Sequence, residues 1–373
     1  MSEETTQSVK IRKEPLVHII KRAEIAVWKA ILIRIIAVIL ALVVCGIIIV
    51  ALTGYNPLEV YIGLADGALG TTRRTWATIK DTCTLLLVGL ALVPAFKMRF
   101  WNIGAEGQML MGGCASAAIM IYLGDKVPTP VLIILMLLSS LAAGIIWGVI
   151  PAIFKANWNT NETLFTLMMN YVAVQLVNFA VTFWEGRAGS NVVGTINPET
   201  KAGWLSEIFG KSSYGWHLII VLIVTLLIFV YMRYTKHGYE IAVVGESQNT
   251  AKYAGINVKK VIIRTMALSG AIAALAGFLA VAGADHTIKS DTAGGRGFTA
   301  IVVAWLAKLD PFTMILMSFL LVFLSNGSVQ IATQFNLNDN MSDVITGIIL
   351  FFILGCEFFA NYKVQFRKRG VKA

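Results

Sequence analysis

Charge is scarce in this 373-residue sequence: Asp, Glu, Lys and Arg make up 14% of it, against roughly a quarter in ordinary soluble domains. With 57% hydrophobic residues alongside, that deficit excludes a soluble globular protein. Cysteine is sparse too. Cys45, Cys83, Cys114 and Cys356 all fall in apolar segments, with neither metal-ligand spacing nor pairing, so they read as packing residues. His18, His217, His237 and His286 are scattered and form no proton relay or metal site. The first 30 residues lack a short apolar core followed by a small-residue cleavage site, so the first span is expected to be a permanent anchor. No phosphate loop is present: Gly210-Lys211-Ser212 imitates the end of one, but Leu205 stands where its first glycine is required. No nucleophile-base pair or metal constellation suggests an intramembrane enzyme.

What the chain has in abundance is uncharged apolar runs of about 20 residues, the length that crosses roughly 30 Å of hydrocarbon. They predict an all-α membrane protein of about ten spans, near 31–52, 82–96, 104–123, 131–153, 161–184, 216–234, 262–283, 298–309, 312–330 and 342–360. Around the transmembrane domain of 31–360 lie a basic arm (1–30), a basic tail (361–373), a polar loop (235–260) and a long segment on the other side (185–214). Starting inside, the alternation gives the cytoplasmic segments most of the 31 Lys and Arg, which places both termini in the cytoplasm. The formal charge of +10 is therefore topological and does not mark a nucleic-acid surface. Pro94, Pro151 and Pro311 sit at or near span ends, where a missing donor is tolerable. Small residues at Gly144 and Gly148, and at Ser269, Ala273 and Gly277, read as internal helix packing.

Two glycine-rich stretches open spans from opposite sides: Asn102-Ile103-Gly104-Ala105-Glu106-Gly107-Gln108 and Gly294-Gly295-Arg296-Gly297-Phe298. If spans one to five and six to ten are repeats, the odd number per half forces an inverted 5+5 topology, in which these stretches correspond. A helix start offers unsatisfied N–H groups, so both are candidate pore elements as well as candidate packing sites. Glu106 has two readings. One is stabilisation by the first turn of its helix; the other is that, with Asn102 and Gln108, it shapes an inner gate or offers acceptors to a polar solute.

The polar segment 235–256 predicts a short surface helix, capped by Ser247 or Asn249, extended by Ala251 to Ala254, and ended by Gly255. Here the sequence resembles the permease family of ABC importers for branched-chain amino acids, simple sugars and nucleosides. Gly238, Ala242, Gly245, Ala251, Gly255 and Ile256 supply the family's loop pattern. The likeness continues through Phe100 to Gln108, Asn161-Glu162-Thr163 with Leu167-Met168-Met169-Asn170-Tyr171, and Ala267 to Ala271. The Asn-Ile-Gly-Ala-Glu-Gly-Gln and Leu-Met-Met-Asn-Tyr strings look most like the nucleoside branch, and the arm and the 185–213 segment look like the longer of its two permeases.

The resemblance implies a coupling helix between Glu246 and Ile256, Asn249 included, docking into a separate ABC ATPase. It also implies a second, non-identical permease and a substrate-binding lipoprotein. ATP would be used by the partner, and no cofactor is expected on this chain. Candidate acids (Asp81, Glu106, Glu162, Asp310, Asp343, Glu357) sit near span ends, which disfavours an ion-coupled carrier needing mid-membrane acids. A nucleoside needs hydrogen-bond partners and a flat apolar surface; Asn170, Phe298, Trp305 and Asn326 are candidates, each equally able to serve packing. Arg296 departs from the family, where a smaller or aromatic residue is expected. Simple sugars or branched-chain amino acids stay open as substrates, as does an ion-coupled carrier.

Overall fold

Uncharged runs bounded by Ser, Thr and Asn form the expected helices. The computed structural model describes residues 17–21, 27–186, 189–208 and 214–335, and near the C-terminus 344, 347–348, 351–352, 355 and 362–366. The chain divides into two compact units, Ala65–Gly327, and Met1–Leu64 with Ser328–Ala373.

The larger unit holds most of the bundle: α3 (Thr72–Lys97), α4 (Ala105–Leu123), α5 (Thr129–Trp158), α6 (Glu162–Trp184), α7 (Gly215–Tyr234), α8 (Lys236–Glu246), α9 (Gln248–Tyr253), α10 (Val258–Leu279) and α11 (Arg296–Leu306). The other unit contains α1 (Val27–Thr53) and the start of α2 (Pro57–Leu69), while α12 (Pro311–Gln334) begins in the larger unit and ends in this one.

Side chains cap the free N–H groups at helix starts. Thr71 accepts from the Arg74 amide at 3.2 Å, Asn161 from Leu164 at 3.2 Å, and Asn257 from Lys260 at 3.1 Å. Asn159, in the left-handed region at φ 51°, ends α5, and Lys155 in its last turn pairs with Glu162 in the first turn of α6 at 2.9 Å. Both charges complement the helix dipoles they face.

Six helices among the described residues are long and apolar enough to cross a membrane: α3, α5, α6, α7, α10 with its extension to Ala284, and α12. Their burial separates centre from periphery. The apolar windows of α3 and α10 are 83% and 78% buried, those of α5, α6 and α7 22%, 28% and 28%. The outer helices show Phe179, Phe183 and Leu227 outward, a surface that hydrocarbon solvates at no cost.

At the centre, α4 and α5 close on α10 through small residues. The backbones of Gly144 and Gly270 touch, Gly148 meets the Met266 carbonyl, and Gly277 meets Met109. The Ser140 hydroxyl donates to the Ala274 carbonyl at 2.9 Å. The stripes read as packing features are therefore seams inside the bundle, where van der Waals contact and occasional hydrogen bonds hold helices together.

Three features depart from expectation. First, α11 has 11 residues, about 16 Å at 1.5 Å per residue, so the expected span at 298–309 is a half-length helix. Second, β1 (Val17–Lys21) and β2 (Tyr362–Phe366) form an antiparallel pair, Ile19 opposite Val364, which adds a small sheet to a fold read as all-α and joins the basic arm to the tail. Third, α2 is an additional helix between the first two expected spans. The expected span at 342–360 lies largely outside the described residues.

Candidate functional site

The two glycine-rich helix starts, far apart in sequence, meet. Gly297 lies directly against the backbone of Glu106: a Cβ there would come within 2.6 Å of the Glu106 Cβ and 2.7 Å of its nitrogen. Gly295, left-handed at φ 72°, is the N-cap of α11, and its N–H donates to Glu106 Oε1 at 3.0 Å. Glu106 itself stands in the first turn of α4. One carboxylate thus faces the N-termini of two helices, where aligned peptide dipoles favour negative charge.

The amides around it are turned inward. Asn102 is fully buried; its Nδ2 donates to Ser269 Oγ at 3.0 Å and Gln108 Oε1 at 3.2 Å, and its Oδ1 accepts from Gly104 at 3.0 Å. Asn170 accepts from the Gly107 amide at 2.9 Å and donates to the Ile103 carbonyl at 2.9 Å. Asn102, Gln108 and Asn170 thereby satisfy the chain where α4 begins beside Ser269, in the middle of α10. Irregular backbone at that depth is tolerated when protein groups satisfy it.

The aromatic candidates face outward. Phe298 and Trp305 are 47% and 48% exposed and stand on one face of α11 two turns apart. Trp305 stacks on Trp101 with centroids 5.5 Å apart at 25°, and on Phe96 at 5.8 Å and 28°. Trp101, read as an interface anchor, therefore also belongs to a three-ring cluster between the ends of α3 and α11.

Asn326 lies on neither cluster. Its Nδ2 donates to Thr78 Oγ1 at 3.2 Å and, at 3.4 Å, to Asp81 Oδ2. Asp81 is paired through Oδ1 with Arg296 at 2.8 Å and Lys80 at 3.2 Å. Asp81, Gly294, Arg296, Thr299, Ser325 and Asn326 border a cavity of about 190 Å³. Sequence reasoning noted Asp81 and Arg296 separately but missed their pairing: 215 positions separate them, and opposite charges at the starts of two apolar runs were the available signal.

The polar loop folds as α8 and α9. Ser247, not Asn249, caps α9, accepting from Thr250 at 3.2 Å. At the other end Gly255, at φ 75°, donates to the Lys252 carbonyl, and Ile256 to Ala251 at 2.9 Å, a glycine-terminated helix stop. Gly238, Gly245 and Ala251 are buried, Gly245 against the Lys97 carbonyl, and Ala242 is half-buried, while Glu246, Asn249 and Gly255 are exposed and Tyr253 is 93% exposed. Small residues anchor the loop, and polar ones are offered outward.

On the segment after α6, Glu185 accepts from the Gly189 and Asn191 amides at 2.8 and 3.0 Å, which holds its carboxyl below the usual range. Further on, Trp204 lies flat on His286, centroids 3.8 Å apart at 3°. The Ile196 amide donates to the His286 carbonyl at 2.8 Å. Burial under this segment pushes the His286 imidazole below its ordinary value.

The sequence is similar to known membrane permeases. A guanosine ABC transporter permease of Bacillus subtilis is 29% identical over 91% of this chain and 97% of its own length. A glucose ABC transporter permease of Haloferax volcanii is 28% identical over 94% of each. A nucleoside ABC transporter permease of Lactococcus lactis is 28% identical over 87% of this chain and 91% of its own. The model of the branched-chain amino acid transport system permease component family matches residues 75–354, so the chain belongs to that family of membrane permeases.

Proposed function

We propose that this chain is a transmembrane permease subunit of an ABC importer that moves nucleosides across a bacterial plasma membrane. The observation that carries the proposal is end-to-end similarity to a guanosine and a nucleoside permease, extending through both glycine-rich helix starts. A glucose permease of nearly equal similarity favours simple sugars as the second reading. Nucleosides and glucose share a ring bearing adjacent hydroxyls.

In this reading the chain pairs with a second, non-identical permease and receives solute from a substrate-binding lipoprotein. A partner ATPase consumes ATP and docks on the exposed side of α8 and α9, around Glu246 and Asn249. Both termini lie in the cytoplasm in this reading; the pairing of β1 with β2 supports a common side. Nucleic acid has no part in it.

ATP-driven closure of the ATPase would pull on 238–256 and rock the permeases between outward-open and inward-open states. Contacts that differ between the two states decide the equilibrium. The meeting of α4 and α11 at Glu106 is the proposed gate, with Asn102, Gln108 and Asn170 holding its shape and Phe298, Trp305 and Asn326 bordering the solute path.

Uptake of labelled guanosine, uridine, ribose and leucine by cells lacking this gene, and by the same cells complemented, tests the substrate. Nucleoside uptake restored by complementation is expected. Restoration of leucine uptake alone contradicts the nucleoside reading, and restoration of ribose uptake alone moves it to simple sugars.

A further inference from the structure

The geometry points to the cavity between α3, α11 and α12 as the place where the solute's ring is held, with Asp81 accepting from one ring hydroxyl and Arg296 donating to its neighbour. This rests on the reading of the chain as a nucleoside or sugar permease and names the part of the solute that the site recognises.

Charge and size define the chemistry. The cavity, about 190 Å³, is smaller than the roughly 300 Å³ at which whole-ligand pockets begin, so it suits a sugar ring and leaves a base outside. Two of its borders are charged, Asp81 and Arg296, and they are paired at 2.8 Å. Lys80 binds the same Asp81 oxygen at 3.2 Å, so the carboxylate has no uncompensated charge to offer a cationic solute; a neutral, hydroxyl-rich ring needs only its remaining lone pair.

The acceptor is unevenly committed. Asp81 Oδ1 takes both Arg296 and Lys80, whereas Oδ2 takes a long 3.4 Å hydrogen bond from Asn326. An ionised carboxylate has about four lone-pair sites; Arg296, Lys80 and Asn326 take three, so Oδ2 retains capacity for one hydroxyl donor. Hydrogen bonds to an ionised acceptor are the stronger kind. Arg296 supplies donors for the hydroxyl oxygens, Asn326 offers its Oδ1 as an acceptor, and Thr299, exposed at the rim and donating to the Gly295 carbonyl at 3.3 Å, keeps its lone pairs for a solute hydroxyl. Beside Thr299, half-exposed Phe298 offers a flat face for the base on the same helix.

Arg296 thereby acquires a reason. As the first residue of α11 it pairs with Asp81 and completes a polar wall; a smaller or aromatic residue there would leave Asp81 without its closest cation.

The test compares uptake of a ribonucleoside with that of its 2′,3′-dideoxy analogue by the intact transporter in proteoliposomes, for the natural protein, Asp81→Asn and Asn326→Leu. The same lipoprotein serves every sample, so its own preference cancels when the ribo-to-dideoxy ratios are compared. A site built for hydroxyls rejects an analogue that lacks them by orders of magnitude. The ratio is therefore expected to fall by about tenfold or more in Asp81→Asn and to fall in Asn326→Leu. Equal loss of both solutes, with the ratio unchanged in both variants, assigns the cluster a purely structural role and overturns the inference while the nucleoside reading stands. A natural protein that carries neither nucleosides nor sugars overturns the reading and the inference together.

Discussion

Gly297 occupies the space directly over the Glu106 backbone, so the first turn of α11 rests on the first turn of α4. A Cβ at position 297 would sit inside van der Waals contact with main-chain atoms that cannot rotate away. Gly297→Ala should therefore cost roughly 1–3 kcal/mol, the range for overpacking, visible as a lowered Tm in detergent. Gly186→Ala, where the nearest atom is the Val193 carbonyl at 3.9 Å, is the matched control and should be neutral.

Asn170 satisfies one amide and one carbonyl at the start of α4. Asn170→Leu keeps the approximate volume and removes both partners. Each buried group left unpaired costs roughly 1–3 kcal/mol, so the variant should be less stable than Gly297→Ala. Thermal unfolding followed by tryptophan fluorescence gives the comparison; an unchanged Tm would show that these bonds are replaced by water.

Gly255 separates stability from coupling. No atom lies within 4 Å of a Cβ built there, and its φ is 75°. A β-branched residue thus meets no clash but pays roughly 1–2 kcal/mol for the left-handed backbone. Gly255→Val should leave the assembled transporter intact while ATP hydrolysis proceeds without matching transport, and Gly255→Asn, better tolerated in that region, should recover part of the coupling. Normal coupling in Gly255→Val would remove 238–256 from the ATPase interface.

The Trp204–His286 stack makes a pH prediction. Burial lowers the imidazole pKa, so the folded state prefers neutral His286 relative to the unfolded chain. The resulting stability is fully present above the ordinary value of 6.5 and declines as pH falls through the lowered folded value. Exchange of the Ile196 amide, bonded to the His286 carbonyl, should lose protection between pH 7.5 and pH 5 after correction for intrinsic rates. His286→Phe keeps a ring on Trp204 and should flatten that dependence; an unaltered profile would place its origin elsewhere.

Local chemistry made much of the bundle readable. Apolar runs located α3, α5, α6, α7, α10 and α12, and the stop at Gly255 followed from the residue type that a left-handed terminus needs. The helix start at Glu106 and the one at Gly297 were each legible from their glycines. Their contact was not, because nothing in either stretch encodes which helix crosses which. For the same reason Asp81 and Arg296 read as two isolated charges. The half-length α11 was read as a span because Phe298 to Leu306 is apolar, and apolarity alone does not report whether a helix is long enough to cross. Asn102, Gln108 and Asn170 suggested a gate or solute contacts by residue type; Asn102 and Asn170 bond backbone at the start of α4 and Gln108 bonds the Asn102 side chain, partners that only the assembled bundle reveals.

The central claim is that nucleoside movement through this chain is driven by ATP hydrolysis in a partner subunit. Reconstituting the permease pair with its ATPase in liposomes, adding the loaded lipoprotein on the outward face, and measuring nucleoside accumulation tests it most directly. Accumulation that requires ATP on the ATPase side and persists when ionophores dissipate every ion gradient is the predicted result. Accumulation that follows an imposed ion gradient, with or without ATP, would contradict it.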